Sequence, residues 1–179
     1  NQREKTLRAL ASFREISSPS FHLLLWDNGS LEDTIDAVIG QFPEVVVHHH
    51  PMNLGVASGR NAAAALAIEK YSSTHLLFID NDMIVDPGFV DALLAPFEND
   101  PQLAQTQAKL RFMKDPTRLN DGGGCRIQFW SGRTSPVGFG EIDRGQYDKQ
   151  AKCISCGGAM MVRTDVFQEL GGFDEKFSP

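Results

Sequence analysis

Two carboxylates stand one residue apart at the end of an apolar stretch, in the segment His75-Leu-Leu-Phe-Ile-Asp-Asn-Asp-Met83. Residues i and i+2 of an extended chain point to the same side, so Asp80 and Asp82 would face one ligand together. Without a cation the two carboxylates would repel each other. Mg²⁺ and Mn²⁺ prefer oxygen ligands and commonly bind one or two carboxylates together with substrate phosphates. The local sequence leaves two interpretations open, a metal site and a solvated Asx turn.

Two other polar clusters also point to a ligand. Asp27-Asn-Gly-Ser30 follows the apolar run 21–26, and a helical pattern comes next, so we expect a strand-to-helix turn rather than a hairpin. Asn53-Leu-Gly55 precedes a helix that carries Arg60-Asn61 near its start, where the helix N-terminus and the arginine favour an anion. In both places an ordinary turn or helix start with surface side chains is the alternative.

Glycines, histidines and cysteines supply weaker signals. Gly157-Gly158 lies in an apolar segment, where glycine marks either a bulge or the close approach of a ligand or another backbone. Gly171-Gly-Phe-Asp174 fits a helix C-cap. His48-His-His50 cannot all chelate one ion from a strand, because the middle side chain points away, so we predict strand-end surface residues. Cys153-Ile-Ser-Cys156 has redox or zinc spacing but no second pair, and we interpret it as structural.

Strands and helices alternate over the first 110 residues. Strands are predicted at 21–26, 45–47, 76–79 and 103–112, and helices at 3–15, 30–40, 56–71 and 86–98. This alternation predicts an α/β domain with a mostly parallel sheet, in which ligands bind outside the carboxyl ends of the strands. Residues 114–150 lack periodicity and are predicted to be irregular. A strand at 151–163 and a short helix from Thr164 complete the pattern.

Length and composition narrow the class of protein. A chain of 179 residues predicts one domain with a single sizeable core. A net charge of −6 without a Lys/Arg block argues against a nucleic-acid surface. Three sparse cysteines are typical of a reducing compartment, and no apolar run approaches the ~20 residues of a membrane span. Because the chain begins at Asn1 without Met, we expect a piece of a longer protein.

The motifs DNGS, NLGVASGRN, FIDND and CGGAMMVR, followed by LGGFDEKF, occur in this order and spacing, and together they resemble family 2 glycosyltransferases of the GT-A fold. The resemblance covers nearly the whole chain. The segment Gly138 to Asp148, GFGEIDRGQYD, is similar to bacterial transferases of rhamnosyl or related sugars in envelope polysaccharide assembly. A GT-A catalytic domain is therefore implied, with a nucleotide-binding half at 1–112 and an acceptor-side half at 113–179.

The resemblance also implies roles for individual residues. Asp80-Asn-Asp82 corresponds to the DxD motif of the family, in which Asp82 would hold Mg²⁺ or Mn²⁺ on the diphosphate and Asp80 would lie near the ribose or the metal. Asp27 would lie beside the nucleobase, and the two glycines would line the donor-sugar and acceptor cleft. The implied nucleotide-sugar site comprises Asp27, Arg60, Asn61, Asp80, Asn81, Gly157 and Gly158.

The implied reaction moves a sugar from a UDP-, GDP- or dTDP-linked donor to a saccharide or lipid-linked acceptor, with inversion. The family's first apolar strand and its Glu-Asp base have no counterpart here, so we expect the general base beyond Pro179. The implied location is the cytoplasm, with the inner face of the cell membrane as an alternative.

Two rival functions remain at this stage. A nucleotide-sugar-binding domain without turnover would keep the same motifs. A phosphatase similar to haloacid dehalogenases would use Asp80 as nucleophile and Asp82 as acid. Against the phosphatase, Met83 and Ile84 follow the motif where that class has a small or hydroxyl residue, and the motif stands on a late strand.

Overall fold

The computed structural model describes residues 2–17, 21–30, 34–148 and 158–177. Its first half alternates helices and strands as predicted: α1 Arg3–Phe13, β1 Leu24–Asn28, α2 Thr34–Gln41, β2 Val46–His50, α3 Val56–Tyr71, β3 His75–Ile79 and α4 Phe89–Asn99. The later elements are shorter: β4 Gln105–Gln107, β5 Leu110–Arg111, β6 Leu119–Asp121, β7 Cys125–Gln128, β8 Arg133–Pro136, β9 Ala159–Arg163, α5 Thr164–Glu169 and a 3₁₀ turn at Glu175–Phe177. The predicted α/β class is confirmed.

The described strands form four sheets, of which one is a parallel pair and the largest is a three-stranded antiparallel sheet. β1 and β2 run parallel, with Asp27 opposite His49 and Asn28 opposite His50. β9 lies between β3 and β4 and is antiparallel to both, so β3 and β4 run in the same direction. The sheet therefore joins a strand of the predicted acceptor-side half to two strands of the predicted nucleotide-binding half.

Four consecutive side chains of β9, from Ala159 to Val162, are buried and alternate between the two faces of the sheet. Met160 and Val162 pack with Phe78 in a cluster covered by α3, while Ala159 and Met161 pack in a second cluster with residues of α4. Successive side chains of a strand point to opposite faces, so an apolar run without alternation is what a sheet covered on both faces requires. A third cluster joins α1, α2 and β2.

Two sequence predictions about the later chain differ from the structure. Residues 114–150 were expected to be irregular, yet β6 pairs with β5 and β7 pairs with β8 in short antiparallel hairpins. Strands of two to four residues are too short to show a period, and glycines with positive φ, such as Gly123 at 110° and Gly132 at 67°, separate them. The strand expected at 103–112 is divided into β4 and β5.

Three predicted strands have different limits in the structure. β1 and β2 extend beyond their predicted ends at residues 26 and 47, because their parallel pairing continues through Asn28 and His50. In the described part of the strand predicted at 151–163, regular pairing covers Ala159–Arg163. Residues 151–157, with Cys153, Cys156 and Gly157, lie outside the described residues. Among the described helices, none has the length and apolar character needed to cross a bilayer.

Candidate functional site

The paired acids lie where the sequence places them, directly after β3. The backbone N–H of Asp80 donates to the carbonyl oxygen of Gly158 over 3.0 Å, which continues the β3–β9 pairing by one residue. The N–H of Met83 donates to the carbonyl oxygen of Asp80 over 3.3 Å and closes a turn that carries Asp82. The carboxylates of Asp80 and Asp82 are 49% and 43% exposed, so both are open to a ligand at the end of the strand.

Each of these carboxylates has its own cationic neighbour. Arg60 donates from Nη2 to Asp80 Oδ1 over 2.7 Å, and Lys5 Nζ lies 3.5 Å from Asp82 Oδ2. The guanidinium of Arg60 also lies over the ring of Phe173, with 5.7 Å between its Cζ and the ring centroid. The separate cations compensate the repulsion between the two acids and leave their remaining oxygens available.

Gly158 packs directly against the first acid. A Cβ atom at this position would lie 2.5 Å from Asp80 Oδ2 and would also collide with the methyl group of Met83. The groups that approach this glycine are side chains of the chain itself, and not the ligand or the backbone that the sequence analysis named. Contact between Gly158 and a donor sugar stays a prediction, as does the role of Gly157 outside the described residues.

Asp27 is the most deeply buried acid of the predicted set, with 8% of its side chain exposed. His49 Nδ1 lies 2.6 Å from Asp27 Oδ2, and because a carboxylate can only accept, Nδ1 carries the proton of this hydrogen bond. Burial would raise the pKa of Asp27, but hydrogen bonds from Ser30 and His49 outweigh it and hold that pKa below its ordinary value. Asp27 is therefore a charged acceptor at neutral pH.

Asp27 and Asn81 line one cleft of about 210 Å³ between β1, α1 and the turn after β3. Asn81 Nδ2 donates to Thr6 Oγ1 over 2.8 Å at its edge. Two buried polar atoms of its wall, Trp26 Nε1 and Thr34 Oγ1, have no partner among the described residues. With about 30 Å³ per water molecule, the cleft has room for about seven waters or a single ring system.

The DNGS and NLG motifs form one structural unit. Asn28 Nδ2 donates to Asn53 Oδ1 over 2.9 Å and to the carbonyl of Gly55 over 3.0 Å, while its Oδ1 accepts from the N–H of Leu54. Gly29 has φ 79°, and a Cβ there would lie 2.7 Å from the backbone nitrogen of Asn53. Sequence reasoning missed this role of Asn28, although an Asn-Gly pair at a strand end is a signal for a tight polar turn.

Asn61 holds the loop that follows α5. Its Nδ2 donates to the carbonyl oxygen of Phe173 and to Glu175 Oε1, each over 3.0 Å, and its Oδ1 accepts from the N–H of Phe173 over 2.8 Å. A Cβ at Gly172 would lie 2.6 Å from that same oxygen. In this structure the amide positions the loop, and its predicted contact with a nucleotide stays a prediction.

The three histidines of β2 are more than surface residues, so that interpretation is wrong in part. His48 stacks on Trp26 with 4.4 Å between ring centroids, and His50 stacks on the same ring at 6.1 Å. His49 is exposed but bonded to Asp27, as the register opposite β1 requires. The expectation that the middle side chain points the other way is confirmed.

The side chains that could ligate a metal limit which cofactor the site could hold. Across residues 2–17, 21–30, 34–148 and 158–177, no three His, Cys, Asp or Glu side chains are grouped so that they could hold a metal ion. Asp80 and Asp82 provide two carboxylates, which fits Mg²⁺ or Mn²⁺ shared with substrate phosphates better than a metal held by protein ligands alone. Of the predicted residues, Asp80 contacts two others directly, Arg60 through its side chain and Gly158 through its backbone.

Comparison with known proteins places this site in context. The sequence model of the family described as Glycosyl transferase family 2 matches residues 1–171. The chain is 30% identical over 173 residues to the O-antigen biosynthesis protein RfbC of Myxococcus xanthus. That alignment covers 89% of this chain and 12% of the Myxococcus protein. It is 25% identical over 190 residues to an N-acetylglucosaminyl-diphospho-decaprenol L-rhamnosyltransferase of Mycobacterium tuberculosis. That alignment covers 95% of this chain and 61% of the Mycobacterium protein. The chain thus spans less than two thirds of either relative.

Solved structures share the arrangement of strands and helices at low sequence identity. The crystal structure of GalNAc-T7 with UDP, GalNAc and Mn²⁺ superposes with a TM-score of 0.70 at 17% identity, covering 97% of this chain and 35% of that one. The structure of S. aureus TarS has a TM-score of 0.67 at 15% identity and covers 100% of this chain and 49% of that one. At these identities the comparison establishes the fold.

Proposed function

This chain belongs to glycosyl transferase family 2 and has the GT-A fold, and on that premise we propose that it transfers a sugar from a nucleoside-diphosphate sugar to an acceptor hydroxyl. The observation that carries the proposal is the pair of half-exposed carboxylates, Asp80 and Asp82, at the carboxyl end of β3. Ligands of open α/β sheets bind outside this end of the strands. The donor would be a UDP-, GDP- or dTDP-linked sugar.

Asp82 and Asp80 would hold a divalent cation, Mg²⁺ or Mn²⁺. When bound, such an ion supplies positive charge to the diphosphate as it leaves. The residues present fit the ion, because both side chains offer oxygen ligands and each is balanced by a cation, Lys5 or Arg60, on a flexible side chain. Arg60 would add charge for the phosphates, and Phe173 beneath its guanidinium keeps that group in place.

Asp27 would recognise the nucleobase. Its low pKa makes it an acceptor only, so it selects a ring edge that presents N–H donors. The cleft that Asp27 shares with Asn81 has the volume of one ring system, and His49 holds the carboxylate in a fixed direction. Gly157 and Gly158 would face the donor sugar, and Asn61 would support the nucleotide site through the loop at Phe173.

The acceptor would bind on the side formed by residues 113–179, and the nucleotide on residues 1–112. A saccharide or a lipid-linked acceptor fits the relatives, one of which is named for N-acetylglucosaminyl-diphospho-decaprenol. A general base would deprotonate the acceptor hydroxyl for attack with inversion. Asp174 and Glu175 are not assigned as that base; Asp174 Oδ1 accepts from the N–H of Lys176, and Glu175 Oε1 accepts from Asn61. The proposed cellular location is the cytoplasm or the inner face of the cell membrane.

Calorimetric titration of UDP, GDP and dTDP with and without Mn²⁺ tests the donor site. We expect one of the nucleotides to bind only with the metal, and Asp82→Ala to abolish that binding. Asp86→Ala is the matched control, because Asp86 is an exposed acid of the same loop that pairs with Arg111 over 2.7 Å. Binding without metal dependence, or equal losses in both variants, would contradict the proposed site. Radiolabelled sugar transfer by the full-length protein then distinguishes turnover from binding alone.

A further inference from the structure

The hairpin formed by β7 and β8 carries two exposed aromatic side chains side by side at its tip (residues 129–132). Phe129 is 82% exposed and Trp130 is 87% exposed, the highest values for large hydrophobic residues in the described segments. Single exposed hydrophobic side chains are common on protein surfaces, whereas a contiguous apolar patch of about 300–600 Å² is often functional. Nothing in the proposed transfer reaction uses these two residues.

Hydrogen bonds close the hairpin tip, so the exposure of the two rings follows from the fold. Four residue pairs join the strands, from Cys125 opposite Pro136 to Gln128 opposite Arg133. Within the tip, the N–H groups of Ser131 and Gly132 both donate to the carbonyl oxygen of Gln128, over 3.0 and 2.8 Å. Both aromatic side chains therefore project from a closed turn.

The charge of the hairpin is opposite to that of the whole chain. Residues 125–136 contain Arg126 and Arg133 and no acidic residue, while the chain carries a net charge of −6. Arg126 lies two residues from Gln128, and Gln128 is opposite Arg133, so both arginines are on one face of the hairpin. Both are exposed, and neither is ion-paired within the described residues.

We propose that the hairpin tip docks on an anionic membrane surface. Trp and Phe side chains are favoured at the level of the lipid headgroups, because their rings are apolar and the indole N–H finds a polar partner there. Arg126 and Arg133, behind the tip, would lie against the lipid phosphates, and cationic side chains near such a surface add to its affinity. This inference is independent of the proposed transfer reaction, and it gives the chain a fixed orientation on the bilayer.

A protein partner fits the same patch less well. The two rings together offer on the order of 300–500 Å² of contact area, whereas a standard protein interface buries about 800 Å² on each side. The strands behind the tip expose mainly polar side chains, Arg126, Gln128, Arg133 and Ser135. A bilayer needs no complementary shape, and the apolar area of the two rings and the charge of the two arginines both add to binding at an anionic lipid surface.

Vesicle co-sedimentation and tryptophan fluorescence of the 179-residue chain test the proposal. We expect the chain to bind vesicles of equal parts phosphatidylcholine and phosphatidylglycerol and to bind pure phosphatidylcholine much more weakly. The chain has two tryptophans, and Trp26 lies partly buried against His48, so a blue shift on binding reports Trp130. Trp130→Phe should remove the shift and keep the binding.

Paired variants separate the two parts of the surface. Phe129→Ala/Trp130→Ala should weaken binding at least about tenfold, since two interfacial side chains are lost. Arg126→Gln/Arg133→Gln should weaken binding to the anionic vesicles by about 25-fold, from about fivefold per arginine. Leu170→Ala, which removes a side chain that is 76% exposed elsewhere, and Arg8→Gln should bind as wild type does.

Several results would overturn the proposal. The first is no binding to the anionic vesicles at low salt by a chain whose circular dichroism shows it folded. Wild-type affinity in the double aromatic variant is the second. A third is a dimer in sedimentation velocity that Phe129→Ala/Trp130→Ala dissociates, which would assign the hairpin tip to contact between copies. If a variant fails to fold, the wild-type chain still tests the proposal. A Trp130 fluorescence shift on anionic vesicles that is lost at high salt supports docking, and the absence of any shift overturns it.

Discussion

Replacing Gly158 by alanine should damage the candidate site more than it damages the fold. The added Cβ would lie 2.5 Å from Asp80 Oδ2 and against the methyl group of Met83, and both are the ends of side chains that can turn away. The cost in unfolding free energy should therefore be about 1 kcal/mol, at the low end of the about 1–3 kcal/mol typical of overpacking. Turning the carboxylate of Asp80 away, however, breaks its 2.7 Å hydrogen bond with Arg60.

We expect Gly158→Ala to weaken metal-dependent nucleotide binding about tenfold or more, the range seen when a group that orients a metal ligand is displaced. The assay is calorimetric titration beside urea unfolding of the same sample. Gly40→Ala is the matched control, because a Cβ there meets nothing within 4 Å and alanine favours the helix by up to about 1 kcal/mol. Equal nucleotide affinities in the two variants would refute the idea that Gly158 holds Asp80 in its binding position.

Three further predictions concern the parts that hold the site together. Asn61→Ala leaves the N–H of Phe173 and its carbonyl without their partner, so the free energy of unfolding in urea should fall by about 2–3 kcal/mol. Gly29→Ala should cost about 2 kcal/mol more than Gly140→Ala in the same assay, since both glycines have φ near 79° but only at Gly29 would a Cβ meet backbone atoms. The lowered pKa of Asp27 stabilises the fold above the ordinary carboxyl pKa of about 3.9, and this stabilisation is lost as the pH falls through the folded pKa. In Asp27→Asn, the free energy of unfolding should therefore fall less steeply with decreasing pH below about pH 4 than it does in the wild-type chain.

The positions of the paired acids could be predicted from sequence because their signal is local. Four apolar residues followed by Asp80 and Asp82 describe a buried strand and its end, and the structure confirms both. α3 was predicted with its observed limits, because an alanine-rich run between Gly55 and Ser72 leaves no alternative element. Period and turn chemistry act over a few neighbours, which is the range that sequence reasoning covers well.

The contacts that complete the site could not be predicted in this way. The bond between His49 and Asp27 depends on the register of two parallel strands, and Asn61 meets Phe173 across more than a hundred residues. No local pattern encodes such pairings. The short hairpins at 110–136 could not be predicted for a different reason. Strands of two to four residues are too short to show the alternation of apolar and polar residues that identifies a strand.

The position of β9 between β3 and β4 bears on how the chain acquires its structure. Arg163 pairs with His75, 88 residues earlier, so the central strand of this sheet is synthesised last. Such separation raises the contact order and slows folding, because a long loop must close before the pairing contributes stability. A nascent or truncated chain that ends before Ala159 would present the edges of β3 and β4 without their shared neighbour, and unpaired edges of this kind favour aggregation.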